Sequence, residues 1–500
     1  MNNKTFGVIG VCGANGNLIA RILNERGYSV IGTDLSSRED CRFIKALGDY
    51  DIEVYYGGTP DEFFEKSDYI VPPLSLSEKS AVYENNSIMK LTQLIDEIRP
   101  DKPVFAITGT NGKTTSTTLL KKIAYDNNIK PAEHDLEEMQ GNAEYIPILQ
   151  SRLDGDVAVL EVGTFGVPGS IERIIENSDV LAGLITNITP DHLCDCGNFM
   201  NYAHVKGEFI KRLENKQLIV NGQDPTIMGL LKEYDYQGQV ITFGIDASIS
   251  DVKAKECVCG REINVKEIIS GCGYYFCRCG LTTPQVDYIA TNIDLENKTF
   301  HLHTPTEKLE VKMSITGLHN VYNITGVIIA AHEFLKLPYD KILKSVETFT
   351  GVEGRMEKIK TLENKEIYVD FAHNPASVQT ILTEFKRLYG DFVTVITISS
   401  ESGYAGDLEI FENVLNYSRY IVPASSSSQK IAADMLSKDE TLSGRIFLDS
   451  VDDFEKEGTL GASYDEVKKG IAKALEIDCS TVLAIGEAAC KFKSCICELK

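Results

Sequence analysis

The sequence predicts an α/β protein of three units, each built on a mostly parallel sheet. Three observations predict this. The chain has 500 residues, more than one hydrophobic core usually supports, so two to four units of ~100–200 residues are expected. Short apolar runs of strand length alternate with stretches of helical periodicity along most of the chain, the pattern of βα units. Glycine turns follow the first strands of two of these units, and the carboxyl edge of a parallel sheet is where ligands bind.

Composition narrows the class. The chain is 43% hydrophobic and 25% charged, near the globular average, which excludes a disordered, fibrous or multi-span membrane protein. Its 73 acidic and 50 basic residues leave a formal net charge of -23, which repels nucleic-acid phosphate and anionic lipid. No Lys/Arg run offsets that charge, so a phosphorylated ligand requires a built pocket of backbone N–H groups, one or two placed cations and Mg²⁺. Met1 to Val11 runs straight into a strand, with no basic leader, cleavage site or apolar span of ~20 residues, so a cytoplasmic protein with no membrane or nucleic-acid partner is expected. Thiols stay reduced there, and the 13 cysteines read as metal ligands or small buried groups rather than as a disulfide framework.

The first unit spans residues 1–100. Strand-like Phe6–Val11 and Tyr28–Asp34 flank a helix through Leu18–Asn24, the βαβ start of a parallel sheet. Gly10, Gly13 and Gly16 occupy the first turn in a spacing that is not the dinucleotide fingerprint. Two readings stand: close approach to a phosphate with Asp34 at a ribose hydroxyl, or a tight connection with no ligand. Pro100 and Pro103 break helices and mark a linker.

The second unit opens with the strand Val104–Thr108, the loop Gly109-Thr110-Asn111-Gly112-Lys113-Thr114-Thr115, and then Leu119, Leu120, Ile123 and Ala124 at helical spacing. Strand, glycine loop and helix form a phosphate cradle: backbone N–H groups converge on phosphate oxygens, Lys113 supplies compact charge for the β/γ-phosphates, and the Thr114 hydroxyl can ligate Mg²⁺. The loop is shorter than the common Gly-x-x-x-x-Gly-Lys-Thr, with Ile107 where the first glycine would stand. In that form it resembles the ATP loop of the Mur ligase superfamily, the amide-bond-forming enzymes of murein peptide assembly and relatives such as folylpolyglutamate synthase. The resemblance implies three domains: an N-terminal Rossmann-like domain that binds a UDP-linked carrier, a central P-loop ATPase-like domain over 101–355, and a C-terminal Rossmann-like domain over 356–500 that binds the amino acid.

Further segments extend the resemblance. Val157–Val162 reads as a strand with Glu161 at its carboxyl end, and Leu184–Leu193 is similar to the family's segment with a metal-binding histidine. Glu161 and His192 are thereby implied as ligands of a second Mg²⁺. Asn201–Gly207 resembles the helix whose lysine is carbamylated, a role that falls to Lys206; a carbamate is an anion that can sit beside Mg²⁺. Where many relatives carry Asp and His after the histidine, this chain has Cys194 and Cys196, which read as buried thiols.

Between about Asp251 and Asp287 two knuckles, Cys257-Val258-Cys259-Gly260 and Cys277-Arg278-Cys279-Gly280, stand at the corners of an insertion. Four thiolates make a closed, structural Zn²⁺ site, because a catalytic zinc keeps one position open; Cys272 is a fifth, spare thiol. This ribbon is similar to one in MurT subunits and in archaeal pseudomurein peptide ligases. Gly317–Asn323 opens an apolar helix, and the resemblance makes Asn320 and Asn323 ATP-side residues. Gly351–Glu357 resembles the boundary before the third domain, with Arg355 at the nucleotide phosphates. Ile367–Pro375 resembles the family's Asp-Tyr-Ala-His-Asn-Pro, with Asp370 at the ribose and His373 near the phosphates. Strand-like runs at Phe392–Ile398, Tyr420–Ala424, Ile446–Asp449 and Val482–Ile485 continue the third unit, and the serine run 425–428 reads as a flexible loop.

The function implied is an ATP-dependent peptide ligase, most like the archaeal pseudomurein ligases. It would join an amino acid to a UDP-linked cell-wall precursor through an acyl phosphate. Lys113, Glu161, His192 and Lys206 would be catalytic, ATP, Mg²⁺ and structural Zn²⁺ the cofactors, and a monomer the working form. Three alternatives are a MurT-like amidating subunit fed by a glutaminase, a folylpolyglutamate-synthase-like ligase, and an ATP-binding scaffold.

Overall fold

The apolar runs pair into three parallel-centred sheets and one antiparallel ribbon. The computed structural model describes residues 4–84, 87–134, 145–362, 364–399, 402–448 and 461–499. The first sheet holds β1 Thr5–Ile9, β2 Ser29–Asp34, β3 Glu53–Tyr56 and β4 Tyr69–Val71, all parallel, in the order β3-β2-β1-β4. Helix Ala14–Glu25 follows β1, its apolar side (Leu18, Ile19, Ile22, Leu23) buried at helical spacing.

The central sheet has eight strands in the order β15-β14-β13-β9-β8-β7-β5-β6. They are β5 Val104–Thr108, β6 Ala158–Glu161, β7 Ala182–Ile185, β8 Gln217–Asn221, β9 Gln239–Ile245, β13 Tyr288–Asp294, β14 Thr299–His303 and β15 Lys308–Lys312. Every residue of β5, β6 and β7 is buried, as befits strands covered by helices on both faces. Only β13–β14 and β14–β15 pair antiparallel. Since β5 lies between β6 and β7, strand order reverses at its carboxyl end, where α/β sheets open a ligand crevice.

The ribbon is the antiparallel set β10 Asp251–Glu256, β11 Glu262–Ile269 and β12 Cys272–Phe276. The last sheet, ordered β16-β17-β20-β18-β19, holds β16 Glu357–Leu362, β17 Lys365–Asp370, β18 Val393–Ile396, β19 Tyr420–Pro423 and β20 Thr481–Ile485. Only β16 and β17 pair antiparallel within it. No helix among the described residues is long and apolar enough to cross a membrane.

The first sheet does not hang from a free linker. One continuous apolar cluster joins Leu18 and Leu23 of its helix layer to Ile148, Leu149 and Val104 of the central unit. Arg152, 2% exposed, clamps the same junction. Its guanidinium donates to the carbonyls of Ile95 (2.9 Å) and Ile98 (2.6 Å) at the end of helix Leu91–Glu97. It also donates to Ile148 (2.6 Å) in helix Ile146–Gln150 and to Asn177 (2.8 Å) closing helix Ser170–Asn177. Carbonyls of a helix's last turn lack partners and carry the negative end of its dipole. Burial lowers the Arg152 pKa to about 10, still cationic at neutral pH.

Three expectations are corrected here. Cys12 and Cys41, both in the first unit, form a disulfide: Asp34 accepts N–H bonds from Cys12 and Ser36 and draws the segment after β2 to the glycine turn. Both carboxylate oxygens of Asp34 are thus engaged by its own fold. The serine run is no flexible loop, since Ser425 N-caps helix Ser426–Lys438 and forms a reciprocal capping box with Ser428. In the run Ile446–Asp449, Ile446 makes only an isolated bridge to Ile421, and Asp449 lies outside the described residues.

Candidate active site

The glycine loop sits at the carboxyl end of β5 and is held by the segment after β7. Thr110 N–H donates to the Asn187 carbonyl (2.8 Å) and Asn111 N–H to Asn187 Oδ1 (3.0 Å). Thr186 Oγ1 and Asn187 Nδ2 donate in turn to the Asn111 carbonyl, at 2.6 and 2.9 Å. Two glycines are sterically required. Gly109 has φ +149 and a Cβ there would lie 2.0 Å from Thr186 Oγ1; Gly112 has φ +85 and its Cβ would lie 2.3 Å from Asn323 Oδ1. Gly109→Ala is expected to lower turnover by about two orders of magnitude, since misplacing reacting groups by ~1 Å costs that much. Steady-state kcat of a variant with native far-UV dichroism checks it.

Around this loop the structure gathers most of the residues expected from sequence. Lys113 begins helix Lys113–Asp126 and its Nζ donates to the Thr110 carbonyl (2.8 Å). Thr114 Oγ1 donates to Glu161 Oε1 (3.2 Å) at the end of β6, which joins two hard oxygen donors of the kind Mg²⁺ takes. Lys206, 1% exposed on helix Phe199–Arg212, donates to the Gly109 carbonyl (3.0 Å). Burial, and next Lys113, pushes its amine well below the ordinary lysine range. His192 lies in the same cleft with a left-handed backbone, φ 49. Burial lowers its pKa against the opposing pull of Asp191, so the ring is neutral and able to ligate.

The third unit closes over this edge. Asp370, at the end of β17, accepts N–H bonds from Met356 (2.7 Å) and Ala372 (2.8 Å). His373 Nε2 lies 3.8 Å from Asp191 Oδ2, and the Arg355 guanidinium stands 4.5 Å from the centre of the Phe371 ring. On the opposite wall, Asn320 donates to the Thr316 carbonyl (2.7 Å), and Asn323 Nδ2 lies 3.4 Å from Asn320 Oδ1. The cleft between them has a volume of about 420 Å³ and Thr115, Glu161, Lys206, Asn320, Arg355 and Asp370 all line it. That volume falls in the range of small-ligand sites.

The four knuckle cysteines form a separate cluster, their sulfurs all within 4.8 Å of one another. Cys257 and Cys279 are 3.9 Å apart, and Cys259 and Cys277 3.7 Å. Four sulfurs at ~2.3 Å from a central ion in a tetrahedron lie ~3.8 Å apart, so the set fits a metal ion. Cys272 is not among them; it starts β12, is buried, and accepts from Asn221 Nδ2 (3.4 Å). Cys196 is half-buried, its thiol donating to the His192 carbonyl (2.7 Å), and the Cys194 side chain lies outside the described residues.

Sequence reasoning gave no role to Asp191 and Asn374, which are 3% and 0% exposed. Asn374 Nδ2 donates to Asn111 Oδ1 (3.2 Å) and Asp191 Oδ2 (3.3 Å). One amide thereby joins the phosphate loop, the histidine segment and the third unit. Asp191 adjoins His192 and Asn374 adjoins His373 in sequence, and that adjacency to a candidate ligand is the signal that marks them.

Residues 107–331 match the Mur ligase middle domain family. Among solved structures, a pseudomurein peptide ligase type C from Methanothermus fervidus is 34% identical, with a TM-score of 0.85 over 100% of both chains. The UDP-N-acetylmuramate–L-alanine ligase of Aquifex aeolicus is 24% identical over 82% of this chain and 80% of its own length. The MurT subunit of the lipid II isoglutaminyl synthase of Staphylococcus aureus is 27% identical over 65% of this chain and 72% of its own.

Proposed function

This chain belongs to the Mur ligase superfamily, and from that premise we infer that it is an ATP-dependent peptide ligase that extends a UDP-linked cell-wall precursor, in the manner of the pseudomurein ligases. The observation that carries this reading is the convergence at one sheet edge of the glycine–lysine loop, the Thr114–Glu161 pair and buried Lys206. A carboxylate is a poor electrophile. Transfer of the γ-phosphoryl of ATP to one carboxylate oxygen gives an acyl phosphate and ADP. The neutral amine of the incoming amino acid then attacks the acyl carbon, phosphate leaves, and the amine's proton is lost to solvent or a base.

In this reading Lys113 and Arg355 lie against the transferring phosphoryl and offset its repulsion of the carboxylate. Thr114 would hold one Mg²⁺ and Glu161 with His192 a second, and these ions would supply further charge neutralisation at the phosphate oxygens. Burial, and next Lys113, pushes the Lys206 amine down toward its neutral form, the form that adds CO₂ to become a carbamate, and its buried place against the Gly109 carbonyl supports that modification. Asn320 and Asn323 face the adenine, Asp370 the ribose, and His373 the phosphates. Residues 1–100 hold the carrier, 101–355 the ATP and 356–500 the amino acid. Seating the third unit excludes the water that would hydrolyse an acyl phosphate. The working form in this reading is a monomer, and its substrates are cytoplasmic metabolites, which supports that location.

The ribbon takes Zn²⁺ in this reading, because four thiolates at tetrahedral spacing suit that ion, and the closed set leaves no position for water, which makes the site structural. Elemental analysis of protein purified without chelator is expected to return about one zinc per chain; a return of none refutes the assignment. The activity is tested by phosphate release from ATP, screened over UDP-linked precursors with single amino acids and, separately, with ammonia. Release that requires one precursor and one amino acid is the expected result. Release with ammonia alone would make this an amidating subunit instead.

A further inference from the structure

The ribbon has two working ends. At the metal end, Val258 packs so closely on helix Pro225–Glu233 that a Cβ on Gly229 would stand 2.8 Å from its Cγ2, and Lys232 donates to the Cys279 carbonyl (3.0 Å). The other end, about 17 Å away along the five residues of β12, is the two-residue turn Ser270–Gly271. Both have positive φ, 53 and 74, as a type I′ hairpin turn demands, and Asn, Asp or Gly is the usual choice at such positions. Serine at the first of them is disfavoured. Its hydroxyl nevertheless meets the Thr380 hydroxyl of the third unit at 2.6 Å.

Side chains brace the turn from both sides. Glu267, 3% exposed, accepts the Gly271 N–H (2.6 Å), and Lys255 donates to the Gly271 carbonyl (3.0 Å). Lys253 lies 3.2 Å from Glu267 and donates to Gln379 Oε1 at 3.0 Å. Thr380 and Gln379 lie on helix Pro375–Tyr389. That helix is also held by Asn111 and Asp191 at its N-cap, Asn374, and by Thr316, which donates to Glu384 (3.1 Å), further along. Ile269, Ser270 and Thr380 line the cleft itself.

We propose that the Ser270–Gly271 turn is the post on which the third unit seats, with the ribbon as an arm anchored at its metal end, so that Ser270 and Lys253 are positioning residues for the closed cleft. This rests on the ligase reading for its consequence in turnover, but not for the docking itself. Serine stands at φ 53, where glycine would fit without strain, and what it adds over glycine is the hydroxyl that makes the contact.

The test uses full-length, metal-loaded protein carrying Ser270→Gly, Thr380→Val or both. Ser270→Gly suits the backbone at φ 53, so its thermal midpoint is expected to match or exceed the parent's. Turnover is nonetheless expected to fall about fivefold in each single variant, with KM for ATP within about twofold, and no further in the double, because both remove one contact. Hydrogen exchange in the presence of ADP is expected to quicken across 375–389 in all three. Parental turnover and exchange in both single variants would overturn the proposal, as would losses that multiply in the double. If the parent protein ligates nothing, the ligase reading fails alone, and the exchange arm still decides the docking.

Discussion

Lys113→Ala is expected to lower turnover by about three orders of magnitude while leaving the thermal midpoint close to the parent's. The loss follows from charge: removing one pre-placed donor from a transition state that develops charge typically costs 10²–10³, and in phosphoryl transfer the protein contributes little besides positioning and electrostatics. The unchanged stability follows from position. Lys113 is the first residue of its helix, where a cation opposes the dipole, and this offsets the bond its ammonium gives the Thr110 carbonyl. A second effect compounds the first. Lys113 helps push the Lys206 amine down, so in the proposed mechanism its loss is expected to disfavour the carbamate at Lys206. Lys113→Arg is expected to recover little, since a planar fork does not replace a compact ammonium under a tight loop. Single-turnover ligation together with calorimetry separates the two effects; a variant that retains turnover removes the loop from the chemistry.

Arg152→Ala is expected to destabilise the protein by about 3 kcal/mol or more, the largest stability effect of any single substitution considered. The guanidinium satisfies four carbonyls at the ends of three helices, and its removal leaves buried acceptors without donors. It also loosens the junction between the first sheet and the central unit. A raised KM for the UDP-linked precursor, with KM for ATP unchanged, is therefore expected among molecules that remain folded. Arg152→Lys can serve only some of the carbonyls and is expected to fall between. Denaturant unfolding followed by substrate titration checks both; a variant as stable as the parent means that the packing of Leu18, Leu23 and Ile148 holds the junction without it.

What the sequence made legible was chemistry carried by short spacing. The glycine–lysine loop, Glu161 at a strand end and the two cysteine knuckles announce themselves because each needs a few residue types a few positions apart. The structure brings the loop and Glu161 to one sheet edge and the four thiols to another point. Contacts between distant segments left no such mark. Arg152 is one arginine among charged neighbours until three helix ends converge on it, and the Ser270–Thr380 contact joins residues 110 apart. Composition misled at the serine run, where four like residues suggested a loop although Ser425 and Ser428 stand at the cap and third positions of a helix. The Cys12–Cys41 disulfide joins residues 29 apart beside the Asp34 clamp on Cys12 and Ser36, and has no sequence signature. The antiparallel extension β13–β15 also escaped, because its half-buried strands give a weaker signal than the buried runs of β5 to β7.

The central claim is that this cleft hands the terminal phosphoryl of ATP to a carboxylate. Ligation run with a UDP-linked precursor whose terminal carboxylate carries heavy oxygen tests it directly, by mass analysis of the phosphate released. One heavy oxygen in each phosphate, with ADP as the other product, is the expected result, because the bond that breaks as the amide forms joins the acyl carbon to that oxygen. Unlabelled phosphate, or heavy oxygen found in AMP, would contradict the account.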